Sequence, residues 1–264
     1  MRARPALFDL YGDYLRSRGG RAPVAALVKL LAPVGIAAPA VRTAVSRMVR
    51  QGWLRPLRLP AGPGYSLTPL AARRLDEASA RTARTARSPW DGRFDLILPY
   101  EPVSRPEAAM LITLGYGRLN DHAWIAPRPA DDVDVMLGAA RIRYERFNAG
   151  PLSAADVTRR AWDLPGIGRG YEEFVDTQRP IVTAVTDRSP DEDAFAARFG
   201  LVHGWRAALL RDPNLPPALL PPRWPGSRAT QFFERHAARL RPAAERYVER
   251  CLAPAARGAR MRFS

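Results

Sequence analysis

A single lysine, Lys29, stands against forty arginines in this chain of 264 residues. So skewed a choice reads first as the codon bias of a GC-rich genome and by itself assigns no role. Cysteine is as scarce: with Cys251 alone, an internal disulfide framework is excluded. The three histidines, His122, His203 and His236, lie far apart in sequence and form no metal-ligand cluster, so neither a metal nor a cofactor is expected. No run approaches the roughly 18 uninterrupted apolar residues of a membrane-spanning helix. The N-terminus, MRARPALFDLYGDY, carries acidic residues where a signal peptide would be apolar. The expectation is a cytoplasmic protein with no membrane segment.

What is present is positive charge, unevenly spread. Residues 1–88 hold 16 basic and 4 acidic side chains, whereas 89–264 hold 25 and 22. Phosphate neutralisation by arginine and lysine supplies most non-specific DNA affinity, so a cationic module joined to a nearly balanced remainder suits a DNA reader attached to something else. An arginine-rich proteome also makes basic faces by default, and charge alone leaves both readings open.

Periodicity within the basic third sharpens the choice. Leu7, Leu10, Tyr11, Tyr14 and Leu15 form the apolar stripe of a first helix. After Gly19-Gly20, Pro23 fits a first helical turn, and Val24, Leu27, Val28 and Leu31 repeat the pattern until Pro33 and Gly35 stop it. A third helix starts at Pro39, with Val41, Ala44, Val45, Met48 and Val49 facing inward and Arg42, Thr43, Ser46, Arg47 and Arg50 outward. Arginine forks onto guanine and small hydroxyls bond bases or phosphates, so Arg42, Thr43, Ser46 and Arg47 are the candidate base readers and Arg50 a phosphate contact. The strands Trp53–Leu59 and Gly64–Thr68 then form a hairpin, the expected wing, with Arg55 and Arg58 placed for phosphate or minor groove and Pro56 restricting its strand to an edge. A fourth helix opens at Thr68-Pro69 and carries Arg73, Arg74, Arg81, Arg84 and Arg87 against Asp76 and Glu77.

Three blocks of the first module, LFDLYGDY (7–14), AVRTAVSRMVRQGWL (40–54) and YSLTPLA (65–71), resemble the PaaX-like family of phenylacetic-acid degradation repressors. Further blocks extend the resemblance over nearly the whole chain: WDGRFDL (90–96), GYGRL (115–119), WIAPRP (124–129), AWDL (161–164), YEEF (171–174) and LLRDPNLPPALLPPRWPG (209–226). The resemblance implies a homodimeric repressor of a catabolic operon, released from double-stranded operator DNA by an aryl-acyl-coenzyme A effector such as phenylacetyl-CoA. It assigns no effector-binding residues.

Beyond residue 88 the pattern is strand at 93–100, helix at 106–114, strands at 116–119 and 123–126, helix at 131–140 and strand at 142–147. This βαββαβ order is the ferredoxin-like unit, whose open face either pairs with a second copy or is buried by the region that follows. That remainder reads as helical. Ser153 to Asp156 and Ser189 to Glu192 have capping-box spacing, and Phe195, Phe199, Val202, Arg206 and Leu209 follow on one line. A long segment from Arg228 to Cys251 contains Pro242, expected to kink or break it. The fold class is therefore α+β: a winged helix-turn-helix domain at 1–88, a ferredoxin-like central domain for dimerisation at 89–150, and a mainly helical domain for effector sensing at 151–264.

Catalytic motifs are weak. Gly166-Ile167-Gly168-Arg169-Gly170 lacks a preceding strand and the Lys-Ser/Thr of a phosphate loop, and Gly64-Tyr65-Ser66 lacks the second glycine of a nucleophile elbow. Asp131, Asp132 and Asp134 fall at a helix start, where the dipole favours carboxylates, and read as a cap. An enzyme acting on acyl-CoA or nucleic acid, or a winged helix used for protein contacts, remain the competing classes; no nucleophile, base or metal set supports the first, and the outward arginines argue against the second.

Overall fold

A computed structural model describes residues 1–84 and 89–253, with side chains for 1–76 and 89–253. Arg87 and the boundary expected at 88/89 lie outside the described residues, as do the side chains of Arg81 and Arg84 in the last turns of the fourth helix. The class is α+β, with two antiparallel sheets and a helical C-terminal region. The chain divides into two compact units that are not contiguous in sequence. The first combines residues 1–79 with 177–204 and 232–264, and the second combines 80–176 with 205–231.

In the first unit, α1 (Ala3–Leu10) runs on through a π turn (Tyr11–Leu15) and a 3-10 turn to Gly19, where φ is 84°. Leu7, Leu10, Tyr11, Tyr14 and Leu15 are buried, as their spacing predicts. A buried phenol needs a partner: Tyr11 donates to the Tyr65 carbonyl at 3.1 Å, and burial pushes its pKa up. Next come a short strand β1 (Arg21–Pro23), α2 (Val24–Leu31) and α3 (Ala38–Arg50). Strand β1 gives no sign in the sequence, where Pro23 fits the first turn of the helix. Pro23 instead precedes α2 in extended conformation, with φ −64° and ψ 146°.

The turn that closes α3 contains Gly52, whose φ of 71° lets the backbone reverse so that Trp53 N–H reaches the Met48 carbonyl at 2.9 Å. The hairpin β2 (Leu54–Leu59) and β3 (Gly62–Leu67) follows, and the sheet order is β1-β3-β2. Strand β2, with Pro56, is an edge strand. Gly64 is needed where β1 crosses close, since a Cβ there would lie 2.7 Å from the Ala22 carbonyl oxygen. Thr68 then binds both ways: its hydroxyl donates to the Gly52 carbonyl at 2.7 Å and accepts from Ala71 N–H at 3.2 Å, capping α4 (Pro69–Arg84) onto the turn after α3.

The helical C-terminal region consists mainly of α7 (Ala154–Ala161), α8 (Leu164–Ala184), α9 (Asp191–Leu209) and α10 (Pro225–Leu252). The part of α9 and α10 within the first unit supplies Phe195, Phe199, Ala244 and Val248 to the same core as α1, α2 and α3. Arg198 ties it together, donating to the Tyr14 hydroxyl at 2.7 Å and to the Ala237 carbonyl at 3.2 Å. The α9 start differs from expectation. Ser189 does not cap Glu192: its hydroxyl accepts from Thr186 N–H at 3.0 Å, and Asp191 begins the helix. Helix α10 runs unbroken through Pro242. Both Pro242 and Ala238, whose carbonyl loses its helical donor, are exposed, so water can satisfy the unpaired group.

Asp191 accepts from Arg246 at 2.6 Å and from Arg250 at 2.5 Å, and these bonds lower its carboxyl pKa. A depressed folded-state pKa contributes stability that is present above the unfolded value and lost as pH falls through the folded one. Asp191→Asn is therefore expected to lower the thermal midpoint at neutral pH, with the gap from wild type closing as both are acidified below the carboxylate range. Thermal melts at several pH values measure this, and a pH-independent gap would contradict it.

In the second unit, β4 (Phe94–Pro99), α5 (Arg105–Thr113), β5 (Gly117–Asn120), β6 (Ala123–Ala126), α6 (Val133–Ala139) and β7 (Tyr144–Ala149) follow in βαββαβ order. The four strands pair antiparallel as β5-β6-β4-β7. Ile97, Leu111, Tyr116, Trp124, Val133 and Leu137 form their shared core. Asp95 is buried at its margin, accepting from the Tyr116 hydroxyl and from Arg146 at 2.8 and 3.1 Å. The acidic residues do fall at the α6 start, with Asp132 at the N-cap position and Asp134 in the first turn. Asp132 makes no side-chain cap bond, while Asp134 accepts from the Tyr144 hydroxyl at 2.6 Å and pairs with Arg146, because alternate residues of β7 point at α6. The Tyr144 bond, then Arg146, lowers the Asp134 pKa against partial burial.

Candidate nucleic-acid interface

The interface is built on α3. Its inward stripe, Val41, Ala44, Val45 and Met48, is buried against α1 and α2, which fixes the helix about its axis. Arg42, Thr43, Ser46, Arg47 and Arg50 therefore share the outer face, and all five are exposed. None of the three arginines is ion-paired among the described residues. Between Asp13 and Asp76 the sequence has no carboxylate, and eleven arginine or lysine side chains fall in that interval. Arg16 and Arg18 in that interval pair with Asp76 and Glu249, whereas Arg42, Arg47 and Arg50 have no carboxylate partner among the described residues and so are available to an external anion.

The β2–β3 hairpin is fastened to the same helix. Leu54 is buried in the common core, Trp53 packs edge-on against Phe8 at 4.9 Å, and Thr68 holds Gly52. Arg55 and Arg58 are both exposed. Arg58 lies near the hairpin tip, in register with Pro63. Arg55 is partly oriented by its bond from Nε to the Ser66 hydroxyl at 3.0 Å. The structure adds a residue that the sequence reading omits: Arg21, exposed on β1, is in register with Ser66 from the opposite side. Arg21, Ser66 and Arg55 thus form one rung of the sheet, with two guanidinium groups on one face. A three-residue strand ending in proline leaves no periodicity by which to find it.

Residues 166–170 lie within helix α8 and form no phosphate-cradling loop. No cluster of three metal-binding side chains occurs among the described residues. No helix there is long and apolar enough to cross a membrane. His236 lies beside Phe232 at 4.6 Å, its Nδ1 buried without a hydrogen-bond partner among the described residues, and burial plus Arg239, Arg235 and Arg179 lower its pKa.

Comparison with known proteins places this geometry in a family. Residues 2–70 match the PaaX-like protein family, and residues 162–250 match the PaaX-like protein C-terminal domain. The chain is 31% identical over 256 residues to the transcriptional repressor PaaX of Escherichia coli, covering 91% of this chain and 81% of that one. The chain belongs to the PaaX-like family. Its match to the PaaX-like N-terminal region runs from the start of α1 into α4 and so includes all seven candidate residues and Arg21. Among solved structures, an uncharacterized protein of Mycobacterium tuberculosis shares the fold, with a TM-score of 0.66 at 24% identity over 93% of this chain and 98% of that one. The PaaX-like chain is thus a homologue of a transcriptional repressor.

Proposed function

We propose that this PaaX-like protein is a DNA-binding repressor in which α2 and α3 are a helix-turn-helix, α3 is the recognition helix and the β2–β3 hairpin is its wing. One observation carries the reading: a helix with a fully buried apolar stripe presents five exposed polar or basic side chains on its other face, none of its arginines ion-paired among the described residues. Arg42, Thr43, Ser46 and Arg47 read bases, and Arg50, Arg55 and Arg58 meet phosphate or minor groove. Residues 1–88 serve this role. Residues 89–150 are a ferredoxin-like dimerisation domain, and 151–264 sense the effector.

By family likeness, the operon it controls is catabolic, of the phenylacetate type, and an aryl-acyl-CoA such as phenylacetyl-CoA releases the homodimer from DNA. The protein catalyses no reaction. A dimer places two recognition helices in successive major grooves, so the operator is an inverted repeat with half-sites about one helical turn, roughly 34 Å, or a multiple apart. Footprinting on the protein's own upstream DNA tests this. A two-fold symmetric footprint is expected, and a protected site without symmetry would contradict the paired-helix arrangement.

A further inference from the structure

Within the second unit, α7, the first half of α8 and residues 217–228 enclose two adjoining hollows. One has a volume of about 560 Å³ and the other about 440 Å³, and they share Leu220, Pro221 and Trp224 as walls. Both fall in the range of small-molecule sites, roughly 300–1,000 Å³. The larger is lined by buried Leu164, Leu219 and Trp224, with Thr158 beneath. Thr158 is 1% exposed, and its hydroxyl has no hydrogen-bond partner among the described residues. Leaving a buried hydroxyl unpaired carries its full desolvation penalty, which a purely structural position avoids by carrying valine.

The walls are preformed. Trp224 meets Tyr171 edge-on at 6.1 Å, and the Tyr171 hydroxyl is itself held by Asp212. Gly226 permits this packing, because a Cβ there would come within 3.0 Å of the Tyr171 ring. At the mouth of the smaller hollow stand Arg223 and Arg228, exposed and without a carboxylate partner among the described residues. Arg223 is held at φ 59°, a conformation unusual for a side chain of its size and of the kind retained where a site requires it. Exposed Arg159, Arg169 and Glu172 also line the larger hollow, so buried apolar walls are bordered by charged side chains that are mostly arginines, which suits an elongated ligand with an apolar group and an anionic end.

We propose that this cleft is the binding site for an amphipathic anion. Its acyl or aryl group lies against Leu164, Leu219 and Trp224 above the Thr158 hydroxyl, and its anionic end lies on Arg223 and Arg228. This rests on the preceding reading only in identifying the anion with the thioester that releases DNA.

Calorimetric titration of the full chain with phenylacetyl-CoA, and separately with anilinonaphthalene sulfonate, tests it. Two variants accompany wild type. Gly168→Leu fills the trough beside Pro225, which lies 3.4 Å from a Cβ at that position, and Arg223→Ala with Arg228→Ala removes the cationic end. The expected result is one thioester per chain, weakened about tenfold or more by each variant, with thermal midpoints showing that both fold. Should Gly168→Leu fail to fold, the surface arginine pair decides the question. Thioester binding undiminished in the variants would overturn the cleft and leave the effector reading standing. Saturable sulfonate binding lost in Gly168→Leu, with no thioester binding, would sustain the cleft and overturn the thioester as its ligand. Absence of saturable binding by both probes would overturn the cleft.

Discussion

Replacing Arg47 with alanine is expected to cost about 1–3 kcal/mol of affinity for the operator and to flatten base preference at one position of each half-site. Replacing Arg50 is expected to weaken all DNA sequences alike and to reduce the salt dependence of binding by about one phosphate contact. The two side chains lie on one exposed face of α3 and differ in position: Arg47 is followed by a further turn of helix, whereas Arg50 is the last helical residue. Titration of operator and random duplexes at several salt concentrations separates the roles. Equal, sequence-blind losses for both variants would contradict the division, and loss of folding is not anticipated because neither side chain contributes to the buried stripe.

Asp95→Ala is expected to destabilise the protein by about 3 kcal/mol, at the low end of what breaking a buried ion pair costs. The Asp95 side chain is 8% exposed and that of Arg146 24%, so removing the carboxylate strands a guanidinium in a site that water reaches only partly. Tyr116 loses its acceptor at the same time; burial and Asp95 together push that phenol's pKa up. Asp134 offers the internal comparison. It pairs with the same arginine, but its side chain is 54% exposed, so Asp134→Ala is expected to cost no more than about 1 kcal/mol. Urea unfolding of both variants reads the difference, and equal costs would mean that burial of the network contributes little.

The sequence discloses most where burial is one-sided and local. Segregation of apolar from polar residues along 38–50 defines which side of α3 is exposed, and the short apolar run Ala-Trp-Ile-Ala at 123–126 marks β6 to the residue. It discloses least where a distant partner overrides a local signal. Pro23 has the backbone angle of a helix start but is held extended by pairing with Gly64. Ser189 has capping spacing, yet its hydroxyl is taken by Thr186. Asp134 sits in the first turn of α6 as its acidity suggests, but its partners Tyr144 and Arg146, ten and twelve residues away, leave no local signal. Helix α8 forms across Gly166, Gly168 and Gly170 and through Pro180, residues that individually disfavour it, which fits Tyr171, Phe174 and Val182 packing along its length. The cleft was illegible for the same reason: its walls come from residues 155–172 and 217–228, and no periodicity within either predicts the other.

The most direct measurement is a gel-shift titration of the intact protein on its own upstream intergenic DNA at fixed salt, against random duplex of equal length, with and without phenylacetyl-CoA. The account predicts a complex with the upstream DNA at protein concentrations that leave random duplex free, dissolved by the thioester. Affinity for the upstream DNA no greater than for random DNA would contradict it.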